Sequence, residues 1–196
     1  MTTTLTAKGA ATRARIIDVA AAAIRAEGVA ATTLDDIRSR TKTSKSQLFH
    51  YFPAGKEQLL LAVAQHEADR VLSDQEPYLS NLGSWSAWLA WRDVVIDRYR
   101  RQGQNCPLSA VTSQLGPMSP GAQAVTTQLF RQWETAIAHG IGEMQTRGLV
   151  RPALDAQQAA AALLAGLQGG VLILLATGQL RHLEAALDVA IASLRG

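Results

Sequence analysis

The sequence predicts an all-α protein of about nine helices, and three observations carry that prediction. Apolar residues recur three or four positions apart over long stretches, as in Ile16, Ala20 and Ile24 and again in Trp88, Trp91, Val95 and Tyr99. That spacing gathers side chains on one helix face. Residues able to cap a helix stand just ahead of such stretches, namely Thr33, Ser44, Ser84, Ser119 and Asp155. Glycine and proline interrupt the stretches at Gly28, at Pro53-Ala54-Gly55, at Pro77, from Gly103 to Pro107 and at GPMSPG.

Each element follows in order. A first helix is expected from about Ala11 to Glu27, with Gly28 as a left-handed stop. The residues before it, MTTTLTAKG, are polar and read as frayed. Thr33, with Asp36 three residues on, starts a short helix that buries Leu34 and Ile37 and ends near Arg40. Ser44 and Gln47 have capping-box spacing and start another, whose Leu48 and Phe52 point inward. This leaves Lys45, Ser46, Gln47 and His50 on its outer side. Lys56 opens a longer helix reaching about Leu72. Ser84 caps a helix carrying Trp85, Trp88, Trp91, Val95 and Tyr99, and a short helix runs to Leu115. GPMSPG reads as a loop, and Ser119 with Pro120 forms an N-cap and first-turn pair. The helix so begun continues to Gly148 through Phe130, Trp133, Ile137, Ile141 and Met144. Asp155 and Gln158 start another, ending near Gly178, and the last runs from about Gln179 to Leu194.

Two short helices joined by a tight turn, the second with an outer face of Lys45, Gln47, His50 and Tyr51, form a helix-turn-helix. The run TTLDDIRSRTKTSKSQLFHYFPAGKEQLL resembles the DNA-binding domain of the TetR/AcrR family of bacterial regulators. Thr32, Thr33, Ile37, Ser44, Lys45, Leu48, Tyr51, Phe52, Lys56, Glu57 and Leu59 carry the resemblance, which covers roughly a quarter of the chain. FPAGKEQL and NCPLSAV resemble one branch of that family. Two positions depart from its pattern. Lys42 stands where the turn usually has glycine, so either the turn takes another shape or Lys42 bears strain. Phe49 stands where tyrosine is usual, which removes a hydroxyl able to hold a phosphate; Tyr51 is the candidate to supply that contact instead.

The resemblance implies a helix-turn-helix domain over residues 1–55 and an effector-binding and dimerisation domain over residues 56–196. It implies a homodimer on a palindromic double-stranded DNA operator, and repression relieved by a small, mostly hydrophobic effector. Base edges would be read by Gln47, Lys45, Ser46 and His50. Thr33, Ser44, Tyr51 and Lys56 would position phosphates. Beside these roles stand plainer ones: Ser44 only as a cap, Tyr51 only as packing, His50 as a solvated side chain. Candidate residues lining the effector pocket are Trp88, Trp91, Tyr99, Phe130, Trp133, Ile137, Met144 and Gln168, each of which ordinary core packing would equally explain. Cys106, the one cysteine, follows Asn105 and lies near Arg98, Arg100 and Arg101 in sequence, a setting in which thiols become reactive. A thiol sensor is therefore an alternative effector site; a small apolar residue at a helix start is the plainer reading.

Charge agrees with a nucleic-acid partner. Residues 1–56 hold nine Lys or Arg against four acids, a net +5, while the whole chain nets +3. The positive excess lies with the helix-turn-helix, where phosphate is met. The 196 residues suffice for one or two domains. A single cysteine excludes an internal disulfide, and with no apolar leader at the start a cytoplasmic protein is expected. No phosphate-binding glycine loop, metal-spaced His/Cys cluster or nucleophile motif occurs, and His50, His66, His139 and His182 are scattered. An enzyme is not expected, nor a cofactor; a helical adaptor without DNA binding is the third class.

Ala159 to Ala176 is nearly all apolar and close to the length of a membrane span. Gln168, three glycines and the lack of aromatic belts argue against insertion. An internal core helix remains open, but the favoured reading is a dimer interface. The resemblance implies that the last two long helices pair with their copies, and Ala162, Ala165, Gly166, Gly169 and Gly170 would permit close approach.

Overall fold

The computed structural model describes residues 5–115 and 119–195. The first four residues of the polar start and the Gly-Pro-Met of the GPMSPG loop lie outside the described residues. Within them the chain is all-helical, with nine helices: α1 (Ala7–Ala31), α2 (Leu34–Thr41), α3 (Lys45–Tyr51), α4 (Lys56–Ser73), α5 (Trp85–Gln102), α6 (Pro107–Leu115), α7 (Pro120–Thr146), α8 (Ala156–Thr177) and α9 (Arg181–Ser193).

The cap residues act as their types dictate. Thr6, Thr33, Ser44, Ser84 and Asp155 each adopt an extended backbone and accept from a first-turn amide. Ser119 Oγ likewise accepts from Ala122 N at 3.3 Å. These bonds satisfy donors that a helix start otherwise leaves open. The first helix differs from expectation at Gly28. That residue has φ 83° and ψ 164°, so it kinks the helix rather than stopping it, and one more turn continues to Ala31. Thr32 closes that turn by donating its hydroxyl to the Gly28 carbonyl at 2.8 Å. Gly178 has φ 74° and ends α8 in the left-handed conformation expected of a C-terminal glycine.

Packing divides the chain into two units, Met1–Ala68 with Asn105–Val125, and Asp69–Gln104 with Thr126–Gly196. In the first, Ile16, Ala20 and Ile24 of α1 share a core with Ile37, Leu48, Phe52, Leu59, Val63 and Val111. The sequence offers no local signal that α6 joins this core. Arg25 pairs with the buried Glu67 at 2.9 Å, tying α1 to α4.

The second unit buries Trp88, Trp91 and Val95 of α5, Trp133, Ile137, Ile141 and Met144 of α7, and Leu167, Leu183 and Leu187 of α8 and α9. Trp91 Nε1 donates to the buried Gln75 Oε1 at 2.8 Å. Arg98, also buried, pairs with Asp74 and donates to the Arg70 carbonyl at 3.3 Å. Arg92 reaches across to α9 with a forked pair, Nε to Asp188 Oδ1 at 2.7 Å and Nη2 to Oδ2 at 2.9 Å. Asp188, and to a lesser degree Asp93, raises the Arg92 pKa further above its ordinary value. Helix α8 is long and apolar enough to cross a membrane by length and composition, yet Ala160, Leu163, Leu167, Val171 and Leu174 are buried within the fold.

Candidate nucleic-acid interface

Helices α2 and α3 are each fixed by a complete capping box. Asp36 N donates to Thr33 Oγ1 at 3.1 Å and Thr33 N donates back to Asp36 Oδ2 at 3.2 Å. The Thr33 hydroxyl also donates to Asp36 at 2.5 Å, and these two Thr33 bonds, hydroxyl first, hold the Asp36 carboxyl below its ordinary range. In α3, Gln47 N donates to Ser44 Oγ at 3.1 Å, and Ser44 N donates to Gln47 Oε1 at 3.0 Å.

The turn between them resolves the Lys42 alternative. Lys42 has φ 52° and ψ 36°, so it takes the left-handed conformation that glycine normally takes. The turn keeps its ordinary shape and a side chain bears the cost, about 1 kcal/mol for a residue with a Cβ. Two bonds hold it there, Thr43 N to Arg38 O at 3.1 Å and Lys42 N to Ser39 O at 3.2 Å, the pattern of a Schellman close. The buried Thr41 and Thr43 hydroxyls lie 2.6 Å apart and lock the turn from inside.

The seven-residue α3 buries Leu48, and its C-cap Phe52 is fully buried. Lys45, Ser46, Gln47 and His50 are exposed, as expected, and so are the cap residues Thr33 and Ser44. The remaining expected residues sit differently. Tyr51 is half-buried against the first unit's core, edge-on to His50 at 5.0 Å. Its hydroxyl lies beside the start of α1, where a Cβ built on Gly9 would be 3.6 Å away. Lys56 Nζ donates to the Val29 carbonyl at 3.0 Å. Gln47 has its carboxamide oxygen engaged by the cap, which leaves its NH₂ as the outward group. Phe49, noted in the sequence only for the hydroxyl it lacks, has an exposed ring. A helical wheel shows it: Phe49 is one step, about 100°, from the buried Leu48.

The residues expected to line an effector pocket are not gathered around either of two clefts found in the second unit. Trp88, Trp91, Trp133, Ile137 and Met144 are fully buried, and Tyr99 nearly so. Phe130 and Gln168 are half-buried. Cys106 belongs to the first unit, at the start of α6, where its Sγ accepts from Ser109 N at 3.5 Å. Arg98 and Arg100, its neighbours in sequence, are engaged with Asp74 and with Asp97 and Glu184. The clefts lie elsewhere. One, of about 590 Å³, runs between α8 and α9 past Ala159, Ala162, Gly166, Ala186 and Val189. The other, of about 540 Å³, lies between Leu79-Ser80 and the Arg131, Thr135 and His139 face of α7.

Two short capped helices around a closed turn, the second with its polar side outward, define a helix-turn-helix protein. Residues 16–63 match the model of the bacterial regulatory proteins of the tetR family. Residues 85–190, more than half the chain, match the tetracyclin repressor-like C-terminal domain. The chain belongs to the TetR family and is a DNA-binding transcriptional regulator.

The HTH-type transcriptional regulator in the lacX 3′ region of Lactococcus lactis subsp. lactis is 27% identical over 185 residues, covering 91% of this chain and 90% of that one. An HTH-type transcriptional regulator of Mycobacterium tuberculosis is 28% identical over 110 residues, 53% of each chain. Among solved structures, a TetR transcriptional regulator from Chloroflexus aurantiacus superposes with a TM-score of 0.75 at 24% identity, covering 95% of this chain and 96% of that one. The SmeT–triclosan complex superposes with a TM-score of 0.70 at 21% identity, covering 93% and 91%. SmeT is the repressor of the Stenotrophomonas maltophilia multidrug efflux pump SmeDEF.

Proposed function

We propose that this chain is a cytoplasmic homodimeric repressor that leaves a palindromic operator when a small apolar molecule binds. Residues 1–55 read DNA, and residues 56–196 bind the effector and pair the subunits. The observation that carries the reading is the exposed polar side of α3, Lys45, Ser46, Gln47 and His50, on a helix locked by its cap and by the buried Leu48 and Phe52. Such a face fits a major groove and carries hydrogen-bonding groups for base edges. Thr33, Ser44, Tyr51 and Lys56 are assigned to phosphates, Tyr51 and Lys56 after a change of partner. Because the cap holds the Gln47 oxygen, Gln47 meets a base as a donor, toward purine N7 or guanine O6.

Charge supports this assignment. The first packing unit holds nine basic residues against six acids, whereas the second holds ten of each. For dimerisation the support is the exposed apolar side chains of α8 and α9, Leu172 at 68% and Val189 at 69%, of which Val189 lines the small-residue cleft. Apolar surface of this kind marks an association site. The effector has its support in the Trp88 and Trp133 indoles, fully buried with Nε1 lacking a hydrogen-bond partner. A buried donor left so costs about 1–3 kcal/mol, which a ligand's acceptor would recover.

SmeT, a neighbour of this fold, is seen in complex with triclosan, which supports a small-molecule effector. The test is fluorescence anisotropy on duplexes enriched by the protein from a random pool, with a scrambled duplex and a salt series. Selective binding with a steep salt slope is expected. Equal weak binding to both duplexes sinks the reading. The enriched complex then serves to screen apolar molecules for release, with Trp88→Phe and Trp133→Phe expected to blunt the response.

A further inference from the structure

Helix α7 has two sides of opposite character. Trp133, Ile137 and Ile141 recur four apart and are fully buried. Arg131, Thr135 and His139 recur at the same interval two positions earlier and are exposed. Two positions turn a side chain by about 200°, so the second set faces away from the first. Against that outer side stand Leu79 and Ser80 of the connection between α4 and α5, and a cleft of about 540 Å³ lies between. A cleft of this size holds a small molecule. Its two hydroxyls are already committed as donors. Ser80 Oγ donates to Glu76 Oε1 at 2.7 Å, and Thr135 Oγ1 donates to the Arg131 carbonyl at 2.7 Å. What remains is Arg131 and Gln132 at one end and His139 at the other, about 12 Å along the helix. None of the residues lining the cleft is acidic. Arg131 has no ion pair among the described residues. His139 Nε2 lies 3.7 Å from Glu143, so any positive charge at that end is offset.

We propose that this outer cleft binds a small organic carboxylate with an apolar body. A carboxylate offers acceptors only, and the fork of Arg131 meets its two oxygens with parallel N–H groups. The Gln132 amide adds a further donor. Leu79 and Ala136 give the body of the molecule carbon to lie on. Glu143 beyond His139 disfavours a second negative charge, which sets the orientation: carboxylate at Arg131, body toward His139. The site is distinct from the buried indole of Trp133, which lies on the opposite side of α7, and the inference does not depend on how the chain reads DNA. A molecule seated there joins the α4–α5 connection to α7, so it stabilises the unit that holds both.

The test uses the full chain with hexanoate, benzoate and naphthoate as probes, and benzyl alcohol and inorganic phosphate as controls. Amide NMR titration is expected to show saturable shifts at Ser80, Gln132 and His139 with at least one carboxylate, and that carboxylate should raise the melting temperature. Benzyl alcohol lacks the charge and phosphate lacks the body, so each should bind at least about fivefold more weakly. Arg131→Gln should weaken carboxylate binding about fivefold, and Arg131→Lys, which keeps the charge without the fork, by less. Thr135→Trp fills the cleft while leaving Arg131 in place and should abolish binding; should it fail to fold, Thr135→Phe takes its place. Absence of a saturable shift with all three carboxylates overturns the inference. Benzyl alcohol binding as well as benzoate would show an apolar groove without an anion site, and phosphate doing so would show an adventitious ion only; either overturns it. Shifts centred on Trp88 and Trp133, undiminished in Arg131→Gln, would also overturn it and point instead to the buried effector site.

Discussion

Helix α3 has seven residues and α8 has twenty-two, and they are held in place by different means. An isolated helix as short as α3 does not persist in water. It depends on a reciprocal cap at Ser44 and Gln47 and on two anchors, Leu48 and Phe52, and apart from the half-buried Tyr51 the rest of it faces outward. Helix α8 has the length to form but almost no polarity to orient it. What fixes it is close packing on α9, at Gly170 above all, where a Cβ would meet Leu183 Cα at 2.5 Å and Leu183 N at 2.9 Å. Local chemistry specifies the short element with the polar outer side, while shape specifies the long apolar element packed on α9.

The largest effect expected from this contrast is at Gly170. The Leu183 backbone cannot rotate away as a side chain would, so Gly170→Ala must push α8 and α9 apart. Overpacking of this kind costs about 1–3 kcal/mol, and a backbone obstacle places it at the upper end. Gly142 of α7 is the control, because nothing lies within 4 Å of its would-be Cβ. There alanine should gain up to about 1 kcal/mol from helix propensity. Thermal unfolding should show opposite shifts for the two variants, and shifts of the same sign would mean that shape does not govern α8.

Next in size is the outer side of α8 and α9. Val189→Asp places a charge on a residue 69% exposed in the single chain, so the fold itself should tolerate it. If that side is the subunit interface, the charge is desolvated on pairing and the dimer weakens by tenfold or more, about 1.4 kcal/mol. Sedimentation at micromolar concentration would show monomer, with DNA affinity falling in step. An unchanged dimer would place the interface elsewhere.

Helix α3 should respond to its cap. Ser44→Ala removes the acceptor for Gln47 N and is expected to cost about 1 kcal/mol. The backbone N–H of residue 44 still engages the Gln47 oxygen, so base preference near Gln47 should hold, which re-enrichment of bound duplexes would check. Denaturant unfolding without a shift in midpoint would show the cap to be dispensable.

How much of this was legible in the sequence follows the same division. Thr33, Ser44, Ser84, Ser119 and Asp155 all cap as their residue types imply, because a cap is a local event within three residues. The apolar positions Ile16, Ala20, Ile24, Leu48 and Phe52 were equally readable from spacing. Long-range choices were not. The ring of a tryptophan is as apolar in a packed core as in a pocket, so Trp88, Trp91 and Trp133 gave no sign of which they serve. Arg98 was noted only as a cation near Cys106 in sequence, and it is buried against Asp74, twenty-four residues upstream. Lys56 and Tyr51 were assigned to phosphates, with packing as the plainer reading of Tyr51, and spacing gave no sign that one engages the Val29 carbonyl and the other leans toward Gly9. Lys42 falls between the two cases: sequence exposed the conflict with a left-handed turn, and the coordinates show which side prevailed. Lys42→Gly should relieve about 1 kcal/mol of left-handed strain, less the added freedom of glycine in the unfolded chain, for a net gain of a few tenths. A calorimetric midpoint that falls instead would mean the Lys42 side chain makes a contact worth more than its strain.

The smallest expected effect separates α2 from α3 directly, because the two helices carry the same capping box with different chemistry. In α2 the reciprocal acceptor is the Asp36 carboxylate; in α3 it is the uncharged Gln47 amide. The Thr33 hydroxyl and N–H hold Asp36 below its ordinary carboxyl range in the folded chain. A folded value below the unfolded one means that the bond's contribution is fully present above the unfolded value, near pH 4. It is lost as pH falls through the folded value. Amide exchange at the start of α2 should therefore quicken on acidification through that window, after correction for intrinsic rates, while the start of α3 keeps its protection. Asp36→Asn should remove the difference, since an amide accepts the same bonds without titrating. If both helix starts loosen together in the wild-type protein, the loss comes from the unit as a whole, and the capping boxes do not hold their helices independently.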